Sequence, residues 1–158
     1  MRRKEKKYRL GNIIYEGECL NGVRDGKGKE YNLWNYELEY DGGYLNGKWS
    51  GFGKKYYKGV LDYEGEYLNG QRNGKGKEYN YKGKLIFEGE YLNGKKWNGK
   101  GYDNQGNPIF EIKNGKGDVR EYNWSSGKLV FEGEYLNGER DGKGKEYYDN
   151  GEIIFEGE

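Results

Sequence analysis

With 158 residues and 28 Lys/Arg against 27 Asp/Glu, a net charge of +1, the chain lacks the basic excess that draws proteins to nucleic acid. It has no His, Thr or Ala and only three Ser (Ser50, Ser125, Ser126), which rules out Ser-His-Asp and Cys-His arrangements, and no Gly-Lys pair precedes the Ser or Thr of a phosphate-binding loop. One Cys, Cys19, excludes an intrachain disulfide framework and fits a reducing compartment.

Residues 1–14 come first, with six Lys/Arg against one Glu, net +5. No apolar run follows Met1 to Arg9, so the segment reads as neither a secretory signal nor a membrane span. The expected address is cytoplasmic, peripheral at a membrane or the cytoskeleton. Structurally, 1–14 is read as a basic segment, with a partial first hairpin strand as the alternative. From Tyr15 onward one phrase, aromatic-Glu-Gly-Glu-Tyr-Leu-Asn-Gly, keeps returning. Its opening aromatics are Tyr15, Tyr40, Tyr63, Phe87, Phe110, Phe131 and Phe155, in steps of 25, 23, 24, 23, 21 and 24 residues. Self-similarity at a fixed period makes 15–158 a single repeat array rather than a domain around one central core.

The copy from Tyr63 to Ile86 shows the unit. In an extended strand Tyr63, Gly65 and Tyr67 share one face while Glu64, Glu66 and Leu68 share the other. Asn69-Gly70 and Asn73-Gly74, with Asp25-Gly26 and Asp141-Gly142 elsewhere, are tight-turn pairs, and a second turn closes near Lys82-Gly83, matched by Gly127 and Gly151. Strand, turn, strand, turn predicts an all-β antiparallel meander of about six to seven repeated hairpins. A helical reading fails because glycine costs about 1 kcal/mol per interior helix position and recurs every few residues. Mean hydropathy is −1.30, yet 18 Tyr supply large apolar bodies, so Tyr is the expected core former. Gly65 and Gly76, between bulky neighbours, are expected where one hairpin presses on the next. Glu64 and Glu66, with Lys75 and Lys77 across the hairpin, predict ion-pair ladders on a wet face rather than a metal or paired-carboxylate site.

Two copies depart from the pattern. After Phe110-Glu111 the sequence runs directly to Ile112-Lys113-Asn114-Gly115, a loss of about six residues relative to neighbouring copies, just after the only proline, Pro108. An irregular turn or a bend is expected there, with Trp97 and Trp124 flanking it. At Phe155 a further copy begins, expected as an incomplete repeat with an unpaired strand, so that either the chain dimerises through this end or it is a fragment of a longer array.

The chain resembles the MORN-repeat (membrane occupation and recognition nexus) family, whose repeat reads roughly Tyr-Glu-Gly-x-aromatic-x-Asn-Gly-x-x-x-Gly-x-Gly. The matching phrases begin at Tyr15, Tyr40, Tyr63, Phe87 and Phe131, each followed by Gly-x-Gly at Gly26, Gly51, Gly74, Gly99 and Gly142. The resemblance implies a solenoid of hairpins coiled into one curved, twisted sheet with an aromatic-lined groove.

The expected function is a non-catalytic protein-interaction scaffold, with no catalytic residues, cofactor or metal. Its groove candidates are Tyr15, Tyr40, Tyr44, Tyr63, Tyr67, Phe87, Tyr91, Phe131 and Tyr135, whose alternative role is packing between hairpins. The expected partner is a helix or extended segment of another protein. A homo-oligomer is also expected, because residues 131–158 carry three Lys/Arg against nine Asp/Glu, net −6, opposite in sign to the basic start. The alternative is a phospholipid-binding membrane adaptor using Arg2, Arg3, Lys4, Lys6, Lys7 and Arg9 on anionic lipid. A targeting module of a larger enzyme would need a catalytic domain that these residues do not contain. No nucleic acid is expected, because Glu on the exposed face of each copy repels phosphates.

Overall fold

The computed structural model describes residues 1–158, which form fourteen strands and no helix. In chain order they are β1 (Arg3–Arg9), β2 (Asn12–Leu20), β3 (Val23–Tyr31), β4 (Leu38–Leu45), β5 (Lys48–Tyr57), β6 (Val60–Leu68), β7 (Gln71–Tyr79), β8 (Leu85–Leu92), β9 (Lys95–Tyr102), β10 (Pro108–Ile112), β11 (Gly117–Tyr122), β12 (Leu129–Leu136), β13 (Glu139–Tyr147) and β14 (Ile153–Gly157). The meander is as expected: strands pair antiparallel with their sequence neighbours, in a ten-stranded sheet β1–β10 and a four-stranded sheet β11–β14. Residues 1–14 are an integral part of it, since β1 pairs with β2 over its whole length.

Turn chemistry sets the hairpins. Asn69 and Gly70, between β6 and β7, have φ of 53° and 85°, the left-handed pair that matches a two-residue turn to the twist of its strands. Asn73-Gly74 is not a turn. It lies inside β7, where only Gly74 is left-handed (φ 92°), and the four-residue step from Arg72 to Gly76 faces the two-residue step from Gly65 to Tyr67. The result is a β-bulge, repeated at Asp25-Gly26 and Asp141-Gly142. Glu66 closes it by accepting the Lys75 amide at 2.9 Å, as Glu18 and Glu134 accept the Lys27 and Lys143 amides at 2.8 and 3.1 Å. In these three copies the second Glu of the Glu-Gly-Glu phrase is therefore a bulge cap rather than a rung of the ion-pair ladder.

That ladder is built from the first Glu of the phrase. Glu16, Lys29, Asp41, Lys54, Glu64 and Lys77 stand opposite one another in register, and alternation of sign continues from Lys6 in β1 to Glu111 in β10 and from Arg120 to Glu156 in β11–β14. On the opposite face an unbroken row of glycines in register runs from Gly17 in β2 to Gly99 in β9. Gly65 and Gly76 belong to this row. They face each other within one hairpin, so the expected hairpin-on-hairpin contact is corrected: what presses on Gly76 is the Tyr63 ring, whose hydroxyl lies 2.2 Å from where a Cβ would stand. Gly99 takes the row position of Gly76, not the bulge position of Gly74, because the step from Lys96 to Gly99 is one residue shorter than that from Arg72 to Gly76.

The shortened copy keeps a regular turn. Asn114 and Gly115 have φ of 52° and 72°, so the expected irregular turn is absent and the loss falls on the strands, five residues in β10 and six in β11. The neighbouring copies close around this short hairpin at both ends. At one end the Gly115 amide donates to Trp97 O and the Gly138 amide to Gly115 O, both at 2.8 Å, while Lys95 pairs with Glu139 at 2.7 Å. At the other end Trp124 donates its indole N–H to Tyr79 O at 3.2 Å, and its ring centroid lies 5.0 Å from that of Tyr57. In a flat sheet the β5–β6 and β11–β12 loops, six strands apart, would be separated by about 29 Å at the usual strand spacing of ~4.8 Å. The array therefore coils sharply here, and the expected bend is present.

Candidate partner-binding groove

The repeated aromatics meet on the glycine face because they occupy alternate strand positions on either side of each glycine. Tyr15, Tyr40, Tyr63 and Phe87 are fully buried, Tyr44, Tyr67, Tyr91 and Phe131 are at most 5% exposed, and Tyr135 is partly buried against the same cluster. Seven of the nine groove candidates lie in one buried cluster, Tyr135 packs against it and Phe131 is buried beside Tyr135, so the rings form a core and the expectation that they line an open groove is corrected. Three opening rings meet edge-on the second ring of the next copy: Tyr15 with Tyr44, Tyr40 with Tyr67 and Tyr63 with Tyr91, at centroid distances of 5.4, 5.4 and 5.2 Å. The Tyr15 hydroxyl reaches back to Glu18 O at 2.8 Å, and burial pushes the Tyr15 phenol up to about 12.

A second layer roofs the rings. Arg24 lies 4.7 Å over Tyr15, Arg72 4.3 Å over Tyr63, Lys96 4.9 Å over Phe87 and Arg140 4.3 Å over Phe131, while Trp49 stacks flat on Tyr40 at 4.3 Å. Carboxylates hold this roof in place. Glu30 accepts from the Tyr44 hydroxyl and the Trp49 indole, both at 3.1 Å, and pairs with Arg24. Glu78 pairs with Arg72 and, at 2.7 Å, with Lys96; Arg72 also reaches Asp62 at 3.1 Å. Burial would raise the Glu78 carboxyl, but the Lys96 and Arg72 charges outweigh it and hold it below the ordinary 4.5. Asp62 goes the other way, raised by burial that Arg72 and Lys55 only partly offset. Near the second sheet, Glu121 accepts from the Tyr135 hydroxyl at 2.6 Å and pairs with Arg140 at 2.8 Å. The hydroxyls of Tyr67 and Tyr91, within the buried ring layer, have no hydrogen-bond partner. The aromatic layer is therefore covered by mutually paired Arg, Lys, Glu and Trp side chains held in place over the rings.

This roof was missed in the sequence, although a signal was there. Arg24 and Glu30, Arg72 and Glu78, and Arg140 and Glu146 are each six residues apart, the Arg two positions after the turn glycine and the Glu just before the strand's last Tyr.

The six basic candidates, Arg2 and five residues of β1, do not form one cluster. Strand alternation divides them, with Lys4 and Lys6 opposite Glu18 and Glu16 on the ladder face and Arg3 and Lys7 opposite Cys19 and Tyr15 on the aromatic face. Arg2 pairs with Asp25 at 2.7 Å, Lys6 with Glu16 at 3.9 Å, Lys7 donates to Gly22 O at 2.6 Å, and Arg9 lies 5.4 Å over Trp34.

No curated protein matches the chain in sequence. The sequence model of the MORN-repeat family matches residues 15–32, 40–59, 63–84 and 131–153, just over half of the chain. Phe87 and Phe110, which open the fourth and fifth copies, lie outside these segments, as fits the shorter bulge of one and the shortened strands of the other. MORN repeats are non-catalytic modules that generally serve protein or membrane interaction. Matched family segments, hairpins with Asn-Gly turns and a ring-over-glycine core all agree, and the chain belongs to the MORN-repeat family.

Proposed function

We propose that this protein is a non-catalytic scaffold that binds a helix or extended segment of another protein along its aromatic face and associates with further copies of itself through the ends of the sheet. The observation that carries this reading is the pre-organised roof: Arg24, Trp49 and Arg72 are anchored on rings below and tied by carboxylates beside them. Arg and Trp dominate the energetics of protein interfaces, and side chains already held in place lose little entropy on binding. In this reading the nine aromatics act as the floor that orients the contacting side chains. The test is capture from native cell extract with the wild type and an Arg24→Ala/Trp49→Ala variant, with folding checked by circular dichroism. The expected result is a prey lost only in the folded variant; an unchanged set of preys overturns the groove as the site.

One observation favours a second reading, a phospholipid-binding adaptor. The side chains of Arg3 and Lys4 make no hydrogen bond or ion pair within the chain and lie on the outermost strand, and a basic side chain near an anionic surface gains about 1 kcal/mol. Flotation with phosphatidylserine vesicles tests it: salt-sensitive binding lost in Arg3→Ala/Lys4→Ala supports it, and no binding rejects it. Both readings place the protein in the cytoplasm, peripheral to a membrane or the cytoskeleton; no helix is long and apolar enough to cross a membrane.

A further inference from the structure

At the bend, where the array coils around its short hairpin, the strand ends enclose a recess of about 230 Å³. It is walled by the β7–β8, β9–β10 and β11–β12 loops together with Ile86, Tyr102 and Tyr122, and none of the nine aromatics of the core lines it. The coil creates it. The Trp124 bond to Tyr79 O and its ring contacts with Tyr57 and Tyr81 bring the β11–β12 loop against β7–β8, while on the other side Ser126 donates to Asp149 Oδ1 at 3.2 Å and Lys128 to Asp149 O at 2.5 Å. The wall is therefore braced from both neighbours before any ligand arrives.

Each of the three loops opens on an Asn or Asp whose side-chain oxygen is used inside the loop. Asn80 Oδ1 accepts the Lys82 and Lys84 amides at 2.9 and 3.0 Å, and Asn123 Oδ1 accepts the Ser125 and Ser126 amides, both at 2.9 Å. Asp103 accepts the Gln105 and Asn107 amides, both at 2.9 Å, and the Asn107 side chain at 3.0 Å, so its charge is committed to its own loop. Asn80 Nδ2 in turn donates to Asn104 Oδ1 at 2.8 Å. The carbonyl ends of Asn104 and Asn123 are thus fixed while their Nδ2 groups make no hydrogen bond within the chain; nor do the Gln105 side chain and the hydroxyls of Tyr102 and Tyr122. Charged residues are 35% of the chain, yet Asp103 is the only one among the ten that line this recess, whereas the recess over Gly17 and Gly28 on the ladder face is lined almost wholly by Lys, Glu and Asp.

These features select a ligand chemistry. With no Lys or Arg in the lining, a phosphate or carboxylate finds no counter-charge, and the committed Asp103 leaves little for a cation. What the recess presents is neutral: free amide and phenol groups beside the aromatic and aliphatic surface of Trp124 and Ile86. A hydroxyl-rich ring matches both halves, since each hydroxyl donates and accepts, and the polarised C–H bonds on one face of a pyranose suit the electron-rich face of an aromatic ring. We propose that the recess binds a neutral pyranose, whose hydroxyls meet the free amide groups of Asn104, Gln105 and Asn123 and whose C–H face meets Trp124. Its volume lies below the ~300–1,000 Å³ of sites for drug-sized ligands, which fits one sugar ring, either free or at the end of a glycan. The site is separate from the roofed aromatic face and does not depend on a protein partner there.

Titration of the ¹⁵N-labelled 158-residue protein with the methyl glycosides of glucose, galactose, mannose and N-acetylglucosamine, followed by NMR, tests it. At least one sugar is expected to bind saturably in the millimolar range, with shifts confined to the Trp124 indole N–H and to loop residues 103–107 and 123–128. Gln105→Ala/Tyr122→Phe removes two polar groups that bond to nothing else in the chain, so it should melt near the wild-type temperature while weakening the sugar by about fivefold or more. A glycan array then separates the sources: capture of glycans ending in the sugar that binds identifies a glycan end group, and binding of the methyl glycoside alone identifies a small free sugar. No shift with any of the four sugars, shifts elsewhere on the sheet, or unchanged affinity in the folded variant overturns the proposal. So does saturation of the site by choline where the sugars leave it unmoved, because the rings then act as a cage for a cation.

Discussion

The regular hairpins of β2–β9 and the short hairpin β10–β11 solve one packing problem in two ways. In the regular hairpins the row beneath the aromatic layer is glycine, and a ring lies on it, as Tyr63 lies on Gly65 and Gly76. In the short hairpin the same row continues as Ile112, opposite Gly99, and Val119, opposite Gly133, both buried. Its opening ring, Phe110, lies over Gly101 instead. Ring and glycine are thus one coupled unit: where the ring covers the row no side chain fits beneath, and where it does not, a branched aliphatic side chain fills the space.

Six substitutions, the first two read as a pair, probe this contrast in decreasing order of expected effect. Tyr63→Ala empties a ring site that is closed on all sides and should cost about 3–5 kcal/mol in urea unfolding; Phe155→Ala, at the same repeat position on the exposed edge, should cost under about 1 kcal/mol in the monomer. Equal costs would contradict the coupled unit. Glu78→Gln leaves Lys96 without its partner and Arg72 with only Asp62, an expected loss of about 3 kcal/mol at neutral pH. Because the folded carboxyl titrates below the ordinary 4.5, the unfolded chain takes up the proton first. The Glu78 contribution is therefore complete above about pH 4.5 and lost as pH falls below it, and Glu78→Gln should flatten that part of the acid stability profile.

Gly76→Val drives a side chain into Tyr63 and should cost about 1–3 kcal/mol by thermal melting, whereas Val at 119, the equivalent place beside the short hairpin, is native. Trp124→Ala removes the ring contacts to Tyr57 and Tyr81 and the bond to Tyr79 O, about 1–2 kcal/mol, and hydrogen exchange should then quicken in β11–β12 and leave β2–β5 unchanged. Uniform quickening would mean that the bend is not a separate cooperative element. Lys77→Gln, in the exposed ladder with Glu64 and Glu88, should change stability by less than about 0.5 kcal/mol.

Much of the array could be read from one dimension. Period, strand alternation and Asn-Gly pairs dictate the meander because each is a local property of a few adjacent residues: Asn69-Gly70 turns the chain wherever it is found, and Glu64 and Tyr63 take opposite faces of any strand. Asn73-Gly74 misled for the same reason, since a bulge and a turn both call for a left-handed glycine and only the facing strand, through Glu66, distinguishes them. The nine aromatics share a strand face that alternation makes legible, but their burial depends on the roof of Arg24, Trp49, Arg72, Lys96 and Arg140, contributed by the strands that pair with theirs.

By itself, then, the sequence determined the repeat unit, its two-faced strands, its charge ladder and the place where the pattern breaks. The tertiary structure decided which side chains roof the aromatic layer and which distant copies close on one another. Trp124 meets Tyr57 only because shortened strands let distant copies close around them, and β1 proves to be the counterpart of β3 only once its register against Gly17 is known. Local rules act between neighbours in the chain, whereas burial and coiling are properties of surfaces assembled from residues dozens of positions apart.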